Sequence, residues 1–405
     1  MTRIAVAPAV VRPLWSANFR LYFGARTTSL LGDAMIPVAL SVGVLDAGYG
    51  ATGVGYALGA WLAAVALCML FGGVLADRFT ARRMMVLADF ARFALQAATA
   101  ILFAAGTPSL VLIVLLQFLS GAATAMFQPG VASMVPQVAD DVQRANGTLR
   151  IAESMAGVLG PALAGVLVGL SGPAVVFAIY AATYAVSGCC LLGLRLGTAP
   201  APRSASFLTE LVEGWQAFRA RTWLWAVIAI FGLYGCFVVG TSLPIGAELV
   251  IDQLDSAALG LGLAAFGAGG AVGGTLAIRF RPGRPLAVGS IGWALFAIYP
   301  LVPALQPSLP VLMAGWAVAG AGIAFWSVLW STTVQTQVPP ELLNRVYAYD
   351  VAGSLVTMAL GRTVAGPLAG VTGAVPLMVF ASGLGLLCAA ALLIVPATRR
   401  LRVTR

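Results

Sequence analysis

Apolar runs of about 20 residues, separated by short polar turns, recur from one end of the chain to the other. They lie near residues 20–45, 53–76, 84–105, 109–134, 148–171 and 174–196. A second set lies near 223–249, 257–278, 285–304, 309–335, 346–371 and 374–396. At about 1.5 Å of rise per residue, each run can cross a hydrocarbon layer of roughly 30 Å as a helix. The pattern predicts an all-α polytopic membrane protein with about twelve transmembrane helices. One stretch breaks the rhythm. Residues 197–222 carry Pro200, Pro202 and "FLTELVEGWQAFRA", whose polar and apolar positions fall on opposite helical faces. This stretch reads as a cytoplasmic linker with an amphipathic helix, joining an N-terminal six-helix bundle over 1–196 to a C-terminal six-helix bundle over 223–405.

Composition agrees: 60% of the 405 residues are hydrophobic and 9% charged, where a soluble domain is about a quarter charged. All 23 basic residues are arginine, and there is no histidine. The arginines sit in alternate turns: Arg3, Arg12 and Arg20; Arg78, Arg82 and Arg83; Arg144; Arg203, Arg219 and Arg221; Arg279, Arg281 and Arg284; Arg345; then Arg399 to Arg405. The intervening turns have none, and two carry only Asp46, or Asp252 and Asp255. By the positive-inside rule this alternation puts both termini in the cytoplasm of a multi-pass cell-membrane protein. The first apolar run lacks a small-residue cleavage site and reads as a retained helix.

The net charge of +9 is spread over these turns, so it predicts a lipid bilayer as partner and no nucleic acid. The five cysteines all lie inside apolar runs and read as small buried hydrophobes. Without histidine, neither a transition-metal site nor a nucleophile–base pair can be assembled, so no metal, cofactor or enzymatic activity is expected. No glycine-rich phosphate loop followed by lysine is present, which excludes direct powering by ATP.

The two sets of helices are copies. "GVLADRFTARR" from Gly73 aligns without a gap on "GTLAIRFRPGR" from Gly274, and the same offset carries Arg144 onto Arg345. Such parallel six-helix repeats occur in secondary transporters, with the binding site between the halves.

On these residues the chain resembles the major facilitator superfamily over essentially its full length. Gly73, Leu75, Ala76, Asp77, Arg78 and Arg82 are similar to that family's loop signature between the second and third helices, with Thr80 where a second glycine is usual. "GVLGPALAG", through Gly160, Pro161 and Gly165, resembles the signature of exporters. "NFRLYFGARTTSLLGD" is similar to the twelve-helix drug-efflux branch of macrolide and siderophore exporters. The resemblance implies that Gly73, Asp77, Arg78 and Arg82 belong to a latch holding the halves together when the cavity faces outward. Simple topological anchoring is the alternative for the arginines. In the second copy Ile278 replaces the acid. Where the antiport signature has an arginine, this chain has Gln117, which excludes proton coupling through that position.

Ionisable residues inside the apolar runs are costly and are therefore functional candidates. Arg26 and Asp33 lie seven residues apart on one face of the first helix, and Asp33 is near mid-membrane. Asp33 is the leading site for a proton or a cationic substrate, with a structural hydrogen-bonding role as the alternative. Asp89 and Arg92 read mainly as a pair extending the loop latch, Arg150 and Glu153 as a gate or anchor. Glu153, Asp350 and Arg362 are further coupling or substrate candidates, and Arg362 needs a neutralising partner, an acid or an anionic substrate group. Gly160, Pro161 and Gly165, with Gly366 and Pro367 repeating the device, read as bend points at the interface between halves, or as ordinary packing. Phe118, Phe127, Phe231, Tyr234, Phe237, Trp316, Phe325, Trp326 and Trp330 are candidate cavity aromatics suited to a bulky lipophilic ligand. The combined expectation is a monomeric secondary exporter of small amphiphilic compounds driven by protons. An uptake or facilitated-diffusion carrier is the runner-up, and a non-transporting membrane receptor the more distant alternative.

Overall fold

The computed structural model describes residues 14–78, 80–106, 108–196, 215–216, 219–280 and 282–401. The first apolar run forms α1 (Ala17–Asp46), opened by Ser16, whose hydroxyl accepts the Phe19 amide proton at 3.2 Å. α2 (Gly50–Arg78), α3 (Ala81–Ala104) and α4 (Leu110–Val138) follow through short turns. α5 (Val142–Leu192) is 51 residues long, far more than one crossing needs. It turns back on itself at Gly172, where φ is 76° and ψ 170° and Pro173 follows. Only glycine takes that backbone without strain. The two limbs confirm the reversal, because Gly160 before the break and Thr183 after it both press on α1 around Gly32.

In the second set, α6 (Thr222–Tyr234) runs through a π-helical turn, Gly235–Gly240, into α7 (Thr241–Gln253) as a single crossing. α8 (Ser256–Arg279) is followed by α9 (Pro285–Phe296) and α10 (Ile298–Ala304). α9 stops at Phe296 because Pro300 has no N–H for the carbonyl four residues back. α11 (Leu309–Gln337), α12 (Pro340–Thr372), α13 (Ala374–Ile394) and the short α14 (Pro396–Arg399) complete the chain. Eleven helical stretches among the described residues are long and apolar enough to span a membrane, and with the two limbs of α5 they make twelve crossings. The chain is an all-α, multi-pass membrane protein.

Helices of the first set pack on each other, α1 on α5, α2 on α4 and α3 on both α4 and α5. In the second set α11 packs on α8 and α9. The sets meet along two seams, α2 on α12 and α5 on α8. Small residues make both seams close. A methyl group on Gly366 would lie 2.2 Å from Thr52 Cα, and one on Gly165 would lie 3.0 Å from Gly260 Cα. Pro161, beside Gly160 on α5, offers its carbonyl to the same crossing, 2.6 Å from where a Gly260 methyl would stand. Pro367 follows Gly366 inside α12, its ring exposed. These approaches lie toward the end of the bundle that carries Asp46, Gly172, Asp255 and Gly373. That end is closed.

At the other end, Arg82 holds the last turn of α5. Its Nε donates to the Leu191 carbonyl at 2.9 Å and its terminal nitrogen to the Leu192 carbonyl. A guanidinium suits these orphan carbonyls, which carry the negative end of the helix dipole. The contact ties α3 to α5 within the first set. The side chains of Asp77 and Arg78, with Gly73 beside them, lie outside the described residues, as does most of the stretch 197–222.

Candidate functional site

Three α1 positions on one helical face, Arg26, Leu30 and Asp33, form one wall of a cavity of about 530 Å3. Arg92 of α3, Thr124 and Phe127 of α4, and Arg150 and Glu153 of α5 close it. One turn beyond Asp33, Pro37 withholds the N–H that the Asp33 carbonyl would otherwise accept. The Asp33 carboxylate is firmly held. Its Oδ1 accepts from the Tyr180 hydroxyl at 2.8 Å and from the Tyr184 hydroxyl at 2.5 Å, and the two hydroxyls lie 2.5 Å apart. Both tyrosines are fully buried on the second limb of α5, one turn apart, so they present their hydroxyls to the same point on α1.

Behind them lies a buried charge pair. Asp89 and Arg92 are 0% and 2% exposed, which places them inside the helix bundle, and they form an ion pair within α3. Ser187 donates to the other Asp89 oxygen at 2.6 Å. The Arg92 guanidinium carbon sits 4.1 Å from the Tyr184 ring centre and 4.4 Å from that of Phe127, a cation between two aromatic faces. The chain of contacts from Asp33 through Tyr184 and Arg92 to Asp89 and Ser187 therefore ties α1, α3 and α5 together. Here the structure departs from the expectation that Asp89 and Arg92 extend the loop latch. They stand roughly two and a half and three and a third turns inside the Thr80 cap, and Arg92 faces the cavity of Asp33. Distance along α3 fixes their depth, but only the packing of α3 on α5 fixes their face.

At the cavity mouth Arg150 and Glu153 pair at 2.8 Å with side chains 79% and 48% exposed. An ion pair so wet contributes little to stability, so both groups are available to solvent and solute. Arg26 stands deeper, 5.6 Å from the Phe127 ring centre. Gln117 is fully buried, and both of its amide atoms are without a partner among the described residues.

The second set holds a smaller cavity, about 360 Å3, lined by Phe231, Trp326, Trp330 and Asp350 among others. Trp330 Nε1 donates to Asp350 Oδ2 at 2.8 Å. Tyr234 and Trp316, expected to face a cavity, are instead core residues. Tyr234 stacks on Trp293 at 4.3 Å and Trp316 on Tyr299 at 4.6 Å, and each satisfies its polar atom on a backbone carbonyl. Phe237 packs on Phe380, and neither it nor the half-buried Phe118 lines either cavity. Arg362 reaches across the α2–α12 seam to the Leu58 carbonyl at 3.5 Å, and among the described residues no acid lies within ion-pair distance of it. Asp33, the acid midway along α1, accepts instead from the two tyrosines.

A contact that no sequence feature singles out crosses at the closed end. Glu248 of α7 accepts the Ala51 amide proton at 3.0 Å, so a carboxylate of the second set caps the exposed N-terminus of α2. Glu248→Ala should favour opening of this end by about 1 kcal/mol, roughly a fivefold population shift. Spin labels at Asp46→Cys and Asp252→Cys in a cysteine-free background would read it as a gain in long distances. An unchanged distance distribution would remove Glu248 from any role in closure.

The sequence matches the Major Facilitator Superfamily over residues 22–349. The multidrug efflux pump Tap of Mycobacterium tuberculosis is 27% identical over 321 residues, covering 75% of each chain. The enterobactin exporter EntS of Salmonella typhimurium is 27% identical over 367 residues, covering 86% of this chain and 85% of its own. Among solved structures, a bacterial homolog of the human lysosomal transporter Spinster, inward-facing and occupied, superposes with a TM-score of 0.73 at 16% identity over 96% of this chain and 98% of its own. The nucleoside transporter NupG superposes with a TM-score of 0.72 at 14% identity over 93% of this chain and 98% of its own. With two six-crossing sets meeting along two seams, and a family match over most of its length, the chain belongs to the Major Facilitator Superfamily.

Proposed function

We propose that this protein is a secondary exporter of small amphiphilic compounds, working by alternating access and driven by proton antiport through Asp33. The observation that carries the reading is a carboxylate held by two tyrosine hydroxyls on the wall of a cavity that reaches solvent at Arg150 and Glu153, while the opposite end is closed. Such a group can be reached from one side at a time, which coupling requires. The names of Tap and EntS, both exporters, support the direction. The units are 1–196 and 223–405, joined by 197–222, acting as a monomer in the bilayer. The open end is cytoplasmic because the arginine-bearing turns lie there, so both termini are cytoplasmic too. Asp77, Arg78 and Arg82 serve the latch that forms when this end shuts.

Cells expressing the protein should retain less of a fluorescent amphiphile than cells lacking it. Equal retention across a broad compound panel would reject export. Topology is checked by reporters after Arg405, expected in the cytoplasm, and beside Asp252, expected outside. A cytoplasmic signal at Asp252 would reverse the orientation.

A further inference from the structure

The two cavities differ in their charge. Around Asp33 and Glu153 stand three guanidinium groups, those of Arg26, Arg92 and Arg150. Among the described residues, the cavity between α6, α11 and α12 contains one ionisable group, Asp350, and no cation lies within ion-pair distance of it. Asp350 is 7% exposed, so its carboxylate is poorly hydrated, and among the described residues it has no cationic partner. The Trp330 indole N–H orients it but brings no positive charge.

The surroundings of Asp350 suit one class of ligand. Trp326 and Trp330 are nearly parallel, 13° apart with ring centres 5.8 Å from each other, and Phe231 lines the same space. Trp223 buttresses Trp330 edge-on at 5.9 Å, which fixes the platform. Aromatic faces attract a cation within about 6 Å, most strongly where water is excluded. Ser327 and Ser354 add hydroxyls to the wall. The volume of about 360 Å3 lies within the roughly 300–1,000 Å3 typical of small-molecule pockets.

We infer that this cavity is a binding site for lipophilic organic cations, with the cationic centre held by Asp350 against the Trp326, Trp330 and Phe231 rings. A neutral lipophile of the same shape leaves the carboxylate buried and uncompensated, and an anion is repelled by it, so the pocket selects by charge as well as by size. The inference deepens the exporter reading, on which its physiological meaning rests, and separates the tasks: cation recognition at Asp350, proton exchange at Asp33.

The probe is tetraphenylphosphonium, measured by equilibrium dialysis on the purified full chain in lipid nanodiscs, with triphenylphosphine oxide as the neutral comparison. The parent should bind the cation saturably and at least about tenfold more tightly than the oxide. Asp350→Asn should weaken cation binding by about tenfold or more, and Asp350→Glu should recover part of it. Trp326→Leu should weaken the cation more than the oxide. If Asp350→Asn does not fold, the parent's preference for the cation and the Trp326→Leu result still decide. Equal affinity of the parent for both probes, or parental cation affinity in Asp350→Asn, would overturn the site. Cation binding without export from cells would fault the exporter reading and leave the site standing, whereas export of neutral amphiphiles without cation binding would do the reverse.

Discussion

Asp33→Asn should abolish concentrative export while leaving the protein folded and passive exchange of substrate intact. An ion drives transport only if its bound and free states favour different orientations of the cavity, and an amide at position 33 has a single state. The fold should survive because the amide oxygen can still accept from Tyr180 and Tyr184, whose hydroxyls donate to Oδ1 in the parent. The size of the effect follows from the gradient. One proton moving down one pH unit supplies about 1.4 kcal/mol, enough to hold a monovalent cation exchanged for it at an about tenfold gradient. In inverted vesicles the parent should approach that ratio and the variant should stop at equality. Full accumulation by the variant would move coupling elsewhere, with Glu153 and Asp350 next to be tested.

Arg92→Leu should have the largest effect on folding. It strands Asp89 in the bundle interior with Ser187 as its remaining hydrogen-bond donor among the described residues, and removes the cation between Phe127 and Tyr184. Removing one member of a buried pair costs about 3–5 kcal/mol, a large share of the roughly 5–15 kcal/mol that holds a typical protein folded. The variant should be recovered in low yield and unfold at a markedly lower temperature, read by size-exclusion profile and thermal scan in detergent. Adding Asp89→Leu removes the stranded charge and should restore much of the loss. A single variant as stable as the parent would show that the pair carries no structural weight.

The helices themselves were open to a reader of the sequence, because membrane crossing is a matter of length and apolarity. Even the reversal inside α5 was legible, since Gly172 and Pro173 stand between adjacent apolar runs. The ionisable candidates were legible for the same reason: Asp33, Asp350 and Arg362 stand out against apolar neighbours. Their partners did not. Tyr180 and Tyr184, one turn apart in a greasy helix, look like packing residues until α5 is laid on α1. Glu248 ends an apolar run and passes for an interfacial acid until the closed end brings it to Ala51. For Arg362, charge balance required an acid or an anionic substrate group, whereas the structure supplies a backbone carbonyl across the seam. Which face of a helix meets which neighbour is set by the whole bundle, and twelve apolar helices with weak amphipathicity carry little local record of it.

Coupling of export to protons through Asp33 can be read in a single vessel. The purified protein is placed in liposomes loaded with tetraphenylphosphonium, and external cation and internal pH are followed together after an outside-acid jump. Cation efflux coupled to internal acidification is expected in the parent, beyond that of protein-free liposomes. Both coupled fluxes should be lost in Asp33→Asn and on addition of a protonophore. Concentrative cation efflux that continues without the pH gradient, or an Asp33→Asn protein that still acidifies the lumen as substrate leaves, would contradict coupling at this carboxylate.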